Sequence, residues 1–402
     1  MDDGIGQLRL ALTLCSFLLS PSLHAINDTV FSGYLKSFVI AQEAIDNPVY
    51  SSDKMAESQN SIRLMVDSVS DRYSWQIHYE LISSIFSEYP QLDNRTLYVS
   101  PDTYRISDPD RILADSETRH PVYQNLDRLN LQIRFDSGDL TLGRQAITFG
   151  SARFINPSDV LLPFDIRTFN KEYRSGVDAI RYQMPVGNLG EVDTGLVFGQ
   201  DARSEQSAAY FNLRAHLGTV DIQNLLLRFS RQNLFALGLE TNIGDAGFWL
   251  ESARVWGESN YTRSSVGLDY SFGENTFMQA EYHYNSLSSG KSEDYISLLM
   301  SQDFRNGGIF LLGRQYLLVS LAQRMSPLWQ VSTSLISNLD DDSRYLSFSA
   351  EHSLSENLYL STGVYLYSGK DLAPASAPPY FSIESEFGSS PNLLFVSLKY
   401  YF

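Results

Sequence analysis

Apolar and polar residues alternate with a period of two along most of the chain, in segments of about ten residues broken by turn-forming or polar stretches. Eighteen such segments can be marked: 31–40, 61–69, 75–85, 129–136, 140–149, 177–184, 192–199, 210–217, 220–229, 234–243, 247–256, 265–272, 276–287, 315–324, 329–338, 345–353, 358–367 and 393–402. A period of two predicts strands with one apolar and one polar face. The connectors alternate in length. Short turns at 137–139, 187–191, 244–246, 273–275, 327–328 and 356–357 carry Gly, Asn, Asp or Pro, whereas 42–59, 88–128, 151–176, 288–314 and 370–391 are long. The pattern predicts an all-β, antiparallel up-and-down barrel of about eighteen strands, short turns on one side and loops on the other. Sixteen or twenty strands stay open, chiefly because 295–304, placed here in an external excursion, could form another.

After the first 25 residues there is no apolar run of about eighteen residues, so helical spans are excluded, and a closed barrel is the remaining way into a bilayer. In the last segment Leu394, Val396, Leu398, Tyr400 and Phe402 form one face, suited to lipid. Leu393, Phe395, Ser397, Lys399 and Tyr401 form the other, suited to a lumen. A chain ending in such a strand with a terminal Phe resembles Gram-negative outer-membrane β-barrels. That resemblance implies an outer-membrane location, contact with membrane lipid and lipopolysaccharide, and recognition of the last strand by the barrel-assembly machinery. A homo-oligomer is compatible with it.

Residues 8–19 are apolar and lead to Pro21-Ser22-Leu23-His24-Ala25, the anatomy of a signal peptide cleaved after Ala25. Residues 26–402 would then be a single barrel domain. Cys15 is the one cysteine and lies in the leader, so neither a disulfide framework nor a thiolate metal site is expected. A mean hydropathy of −0.19 is that of a soluble protein, yet 24 Tyr and 23 Phe are many; aromatic girdles at two lipid–water boundaries would use them. The net charge of −17 argues against nucleic acid, whose phosphates require a basic face.

Gly143-Arg144-Gln145, then Phe149-Gly150, Phe154, Asn156-Pro157 and Asp159, follow a strong strand. This stretch resembles a pattern of alginate-export-type and related porins, in which it shapes a pore strand and the loop after it. The loop here, 151–176, combines Val160-Leu161-Leu162-Pro163-Phe164 with Asp165, Arg167, Lys171, Glu172 and Arg174. So apolar a loop is seldom left in open water. Either it folds inward, with Asp159, Asp165, Arg167 and Arg174 at a constriction, or it packs over the rim.

Alternation assigns lumen positions as well. Lys36, Arg63, Arg134, Arg181, Arg214 and Lys399 fall on one contiguous half of the wall, and Glu240, Asp269, Glu281 and Glu351 on the other, which would set a transverse field. Asp67, Glu80, Asp136 and Asp193 interrupt the cationic half, so a lattice of salt bridges is the plainer alternative. His78 with Glu80, and Glu281 with His283, each share a strand face as an acid–base pair would, but no nucleophile accompanies them. No metal spacing links the six histidines. Neither an enzyme nor a cofactor is expected. The reading is a channel for small hydrophilic solutes; the alternative is a plugged or partner-dependent barrel serving polysaccharide export, envelope assembly or adhesion.

Overall fold

A computed structural model of the chain describes residues 28–49, 51–87, 104–107, 112–114, 119–162, 172–301, 303–304, 309–376 and 379–402. The expected leader, with Cys15, lies outside the described residues.

Eighteen strands form the wall: β1 (Asp28–Gln42), β2 (Met55–Val69), β3 (Tyr73–Phe86), β4 (Val122–Phe135), β5 (Gly138–Gln145), β6 (Val177–Val186), β7 (Gly190–Phe198), β8 (Ala208–Leu217), β9 (Val220–Phe229), β10 (Gln232–Ile243), β11 (Ala246–Gly257), β12 (Tyr261–Phe272), β13 (Thr276–Asn285), β14 (Gln315–Ser326), β15 (Trp329–Asn338), β16 (Arg344–Ser355), β17 (Leu358–Ser368) and β18 (Leu393–Tyr401). Each pairs antiparallel with the next, and β18 pairs with β1 in the register Lys36 to Lys399, so the barrel has no free edge. The sheet's nineteenth member, Ile112–Ala114, is a three-residue strand laid on the start of β4.

Every segment marked in the sequence is one of these strands. Several strands run longer than marked, as β2, which begins at Met55 rather than Ser61, and β12, which begins at Tyr261 rather than Ser265; two further differences have a local physical reason. The segment expected to run to Phe149 leaves the wall at Gln145, where the chain turns inward. Strand β4 begins seven residues before the expected Leu129, because a bulge opposite His78 and Tyr79 shifts its phase. Below the bulge Leu129 faces outward, and above it Leu126 does. Residues 295–304 do not add a strand; Tyr295–Met300 is a short helix, α1, in the connection after β13.

The two wall faces differ in environment. On β9 Leu226 is 52% exposed, while Leu225 and Leu227 beside it are 0% and 4% exposed. Val39, Ile62, Leu131, Leu196, Phe235, Leu268, Phe348 and Val396 continue the outward belt, which suits bilayer hydrocarbon. No helix among the described residues is long and apolar enough to cross a membrane; the outward apolar belt is carried by strands.

Candidate functional site

Inward residues of a wide water-filled barrel would be solvated, yet those in the loop-side halves of β6 to β12, such as Ala179, Tyr210, Leu225, Leu234 and Ala253, are buried. The connection after β5 supplies the cover through its described residues, 146–162 and 172–176. Its entry is built by the Gly143-to-Asp159 stretch. Gly143 has φ +106°, and a Cβ there would meet the Leu129 carbonyl at 2.2 Å. Arg144 pairs with Asp178 at 2.7 Å, and Gln145 donates to the carbonyl of Gly143. Gly150, φ +107°, lies where a Cβ would run into the Asn156 side chain at 2.3 Å. These residues form the inward turn of the loop.

The loop then binds the wall at β10 to β13. Glu251 accepts from the amides of Ser151 and Ala152 at 2.7 and 3.0 Å, and from the Ser158 amide and hydroxyl at 2.8 and 2.6 Å. Glu281 accepts from the amides of Arg153, Phe154 and Ile155 and from the Trp249 indole. Arg153 reaches Glu240 at 2.7 Å, and Ser265 donates to the Ile155 carbonyl. Carboxylates that accept several backbone N–H groups in this way fix a chain that has no ladder of its own.

On its return the loop meets the opposite wall. Glu172 pairs with Lys36 at 2.8 Å and accepts from the Tyr401 hydroxyl at 2.7 Å. The Tyr173 ring lies under Arg63 at 4.2 Å. Strands β2 and β11 are diametrically placed in an eighteen-strand ring, so the two described stretches of the loop, 146–162 and 172–176, engage opposite walls. Asp159 and Arg174 pair with each other within it. Burial pushes Asp159 up to about 6, against the pull of Arg174. For Glu172 burial is the largest single influence and acts upward, but the bond and charge of Lys36, the Tyr401 hydroxyl and the charge of Lys399 together outweigh it and hold the carboxyl below its usual range. Asp165 and Arg167 lie outside the described residues.

The loop's apolar residues Ile147, Phe149, Val160, Leu161 and Leu162 pack with Tyr210, Leu225, Leu234 and Ala253 of the wall, closing that side to water. A polar recess of about 400 Å³ stays open along β2 to β6, lined by Asp67, Gln76, Arg128, Asn130, Arg134 and Arg181 among others.

The ten candidate lumen residues stand on the inward register, and many are paired. Arg63 bonds Glu80 and Asp127, Arg181 bonds Asp193 at 2.7 Å, and Lys399 bonds Glu351 at 3.0 Å. Arg134 donates to the Ser70 carbonyl and the Ser74 hydroxyl. Neither Arg134 nor Arg214 has a carboxylate partner among the described residues. Asp269 stands opposite Gly247, and Asp136 lies in the turn after β4 rather than on its inner face. Neither His–Glu pair forms a couple: His78 bonds Asp67 at 3.1 Å and His283 bonds Ser265 at 2.8 Å. Sequence reasoning missed Arg128 and Asp127, because the bulge broke the alternation there. It also missed Glu251, although the outward Phe248 and Leu250 mark that position as inward.

Comparisons with protein-family models and with curated proteins found no match. The fold is that of solved Gram-negative outer-membrane porins. OccAB4 of Acinetobacter baumannii superposes with a TM-score of 0.59 at 9% identity, over 95% of this chain and 100% of that one. OpdQ of Pseudomonas aeruginosa gives 0.59 at 10%, over 94% and 99%. OprD of the same organism gives 0.57 at 9%, over 93% and 95%. At such identity the likeness is one of fold. The resemblance to alginate-export-type porins finds no support in these comparisons; the stretch that carried it is accounted for by the inward turn.

Proposed function

We propose that the chain is an outer-membrane channel for the diffusion of small hydrophilic solutes, its path confined by the 146–176 loop to the polar wall of β1 to β6. The observation that carries this reading is the crossing itself: one side of the lumen is packed with apolar side chains, and the other keeps a polar recess lined by arginines, carboxylates and amides. Such a cross-section suits selection by size and charge. Arg134 and Arg181 on that wall, with Arg214 exposed near the turn-side end of β8 below the apolar packing, then set the local potential, and Asp159 and Arg174 hold the loop in shape. Asp165 and Arg167 belong to the same proposal as constriction residues. The lipid-facing strand β18 is the element offered to the assembly machinery. The plugged-barrel reading is favoured by one observation, the dry packing of Leu161 and its neighbours across half the lumen.

Swelling of liposomes that contain the refolded protein separates the two. A channel admits small sugars or amino acids at rates that fall with solute size. A plugged barrel gives no swelling above empty liposomes for any of them.

A further inference from the structure

Charges are rare on the outward register of the strands. Arg144 and Asp178 face outward as a pair, and the segment 104–107 covers them through the Ser107 carbonyl and the Ile106 amide. The other outward charges among the described barrel strands are three arginines, Arg228, Arg254 and Arg344, all near the loop-side ends of β9, β11 and β16. Among the described barrel-strand residues Asp178 is the one acid on the outward face, and it is taken by Arg144. In a chain of net charge −17, this one-sided placement calls for a reason.

Arg228 and Arg254 belong to one patch. Arg228 stands opposite Asn233 of β10 and Asn233 opposite Trp256 of β11, while Phe235 stands opposite Arg254. The two arginines are thus two strand spacings apart, about 10 Å, and offset by one residue pair along the strands, about 7 Å. Trp256 and Phe235 are 40% and 41% exposed, an amphipathic indole beside an apolar ring, as where an apolar belt meets its polar border. Neither Arg228 nor Arg254 has a carboxylate partner among the described residues; Arg254 donates to the Thr262 hydroxyl at 3.1 Å. Two acids of the adjoining loop-side connections are occupied elsewhere, since Arg231 in the tight turn after β9 pairs with Glu205 at 3.1 Å and Glu258 at 3.5 Å.

We propose that this patch binds the phosphorylated sugar headgroup of an outer-leaflet glycolipid, one arginine to each of two phosphates, with Trp256 and Phe235 against the upper acyl chains. Guanidinium forks match phosphate oxygens, and a headgroup with two separated phosphates fits two separated cations. The inference rests on placement in an outer membrane, yet it is independent of whether the lumen conducts.

The test is native mass spectrometry of the full barrel in detergent, titrated with bisphosphorylated lipid A and separately with phosphatidylglycerol. Wild type is expected to retain lipid A in preference to phosphatidylglycerol. Retention should fall roughly tenfold or more in the Arg228→Gln/Arg254→Gln double variant, given about 1 kcal/mol per cation at an anionic surface, and should largely return with lysine at both positions. Equal retention by wild type and the glutamine variant overturns the proposal, as does equal binding of phosphatidylglycerol. Should the glutamine variant not fold, salt decides: lipid A retention by wild type that does not fall as ionic strength rises also overturns it. A barrel that binds lipid A but passes no solute leaves this inference standing and removes the channel reading.

Discussion

Gly33 of β1 and Phe402 exchange both backbone hydrogen bonds, Gly33 donating to the Phe402 carbonyl oxygen at 2.9 Å and Phe402 to that of Gly33 at 3.1 Å. The Phe402 ring lies over Gly33, where a Cβ would be 2.6 Å from it and 2.3 Å from the Arg63 carbonyl. The seam of the barrel therefore depends on a residue without a side chain. Gly33→Val should destabilise the folded barrel by about 1–3 kcal/mol, the usual cost of overpacking, seen as a lower midpoint of heat-modifiable migration. An unchanged midpoint would show that the seam has room the contacts deny.

The wall register makes adjacent residues unequal. Leu131 faces outward and Gln132, bonded to Ser74 and Asp139, faces inward. Leu131→Arg should cost about 2–4 kcal/mol, the penalty for a cation on the lipid face near the midplane. Gln132→Arg should cost far less. Urea unfolding in lipid vesicles measures both, and equal losses would reverse the register.

Glu281 accepts three backbone amides and the Trp249 indole while only 1% exposed. An amide has one acceptor oxygen and brings N–H groups against N–H groups, so Glu281→Gln should loosen the loop by at least about 2 kcal/mol. Glu240→Gln, which loses the half-exposed Arg153 alone, should do little. Amide exchange over residues 147–160 distinguishes them, and similar protection in both variants would contradict the anchoring role of Glu281.

Neutralising Arg134, Arg181 and Arg214 together should move the reversal potential toward cation selectivity, because positive potential leaves the pathway while Asp67 and Asp193 remain. A reversal potential that stays put would place the three outside the ion path.

Asp159 titrates near 6 in the folded chain against about 3.9 when unfolded. Its neutral form is the one the fold favours, so its contribution is complete below about pH 4 and is lost as pH rises through 6. Amide exchange in the loop should be slower at pH 4 than at pH 7 after correction for intrinsic rates, and Asp159→Asn should flatten the difference. An unaltered pH response in that variant would assign it to another group.

The barrel was legible because strand period and lipid together leave little freedom: Leu394 to Phe402 and Leu129 to Phe135 each state their two faces in the residues alone. The site was legible only in part. Alternation finds inward positions such as Lys36 and Glu281, but it does not tell that Glu172 will reach Lys36 or that the amides of residues 153–155 will meet Glu281, since those contacts join segments far apart in the chain. The expected division into cationic and acidic halves is blunted in the way the salt-bridge alternative had it, since Asp193 pairs with Arg181 and Glu80 with Arg63; Asp127, which also meets Arg63, was hidden by the bulge. The apolar run at 160–162 signalled that the loop wanted cover; inward and rim placements bury it equally well, and the carboxylates at 251 and 281 decide between them.

The central claim, that the 146–176 loop confines a conducting lumen, is tested most directly by single-channel conductance of wild type and of a variant with residues 161–174 excised. Removing the apolar crossing and Arg174 should widen the narrowest cross-section and raise conductance well above the wild-type level. A conductance equal to that of wild type would contradict the account.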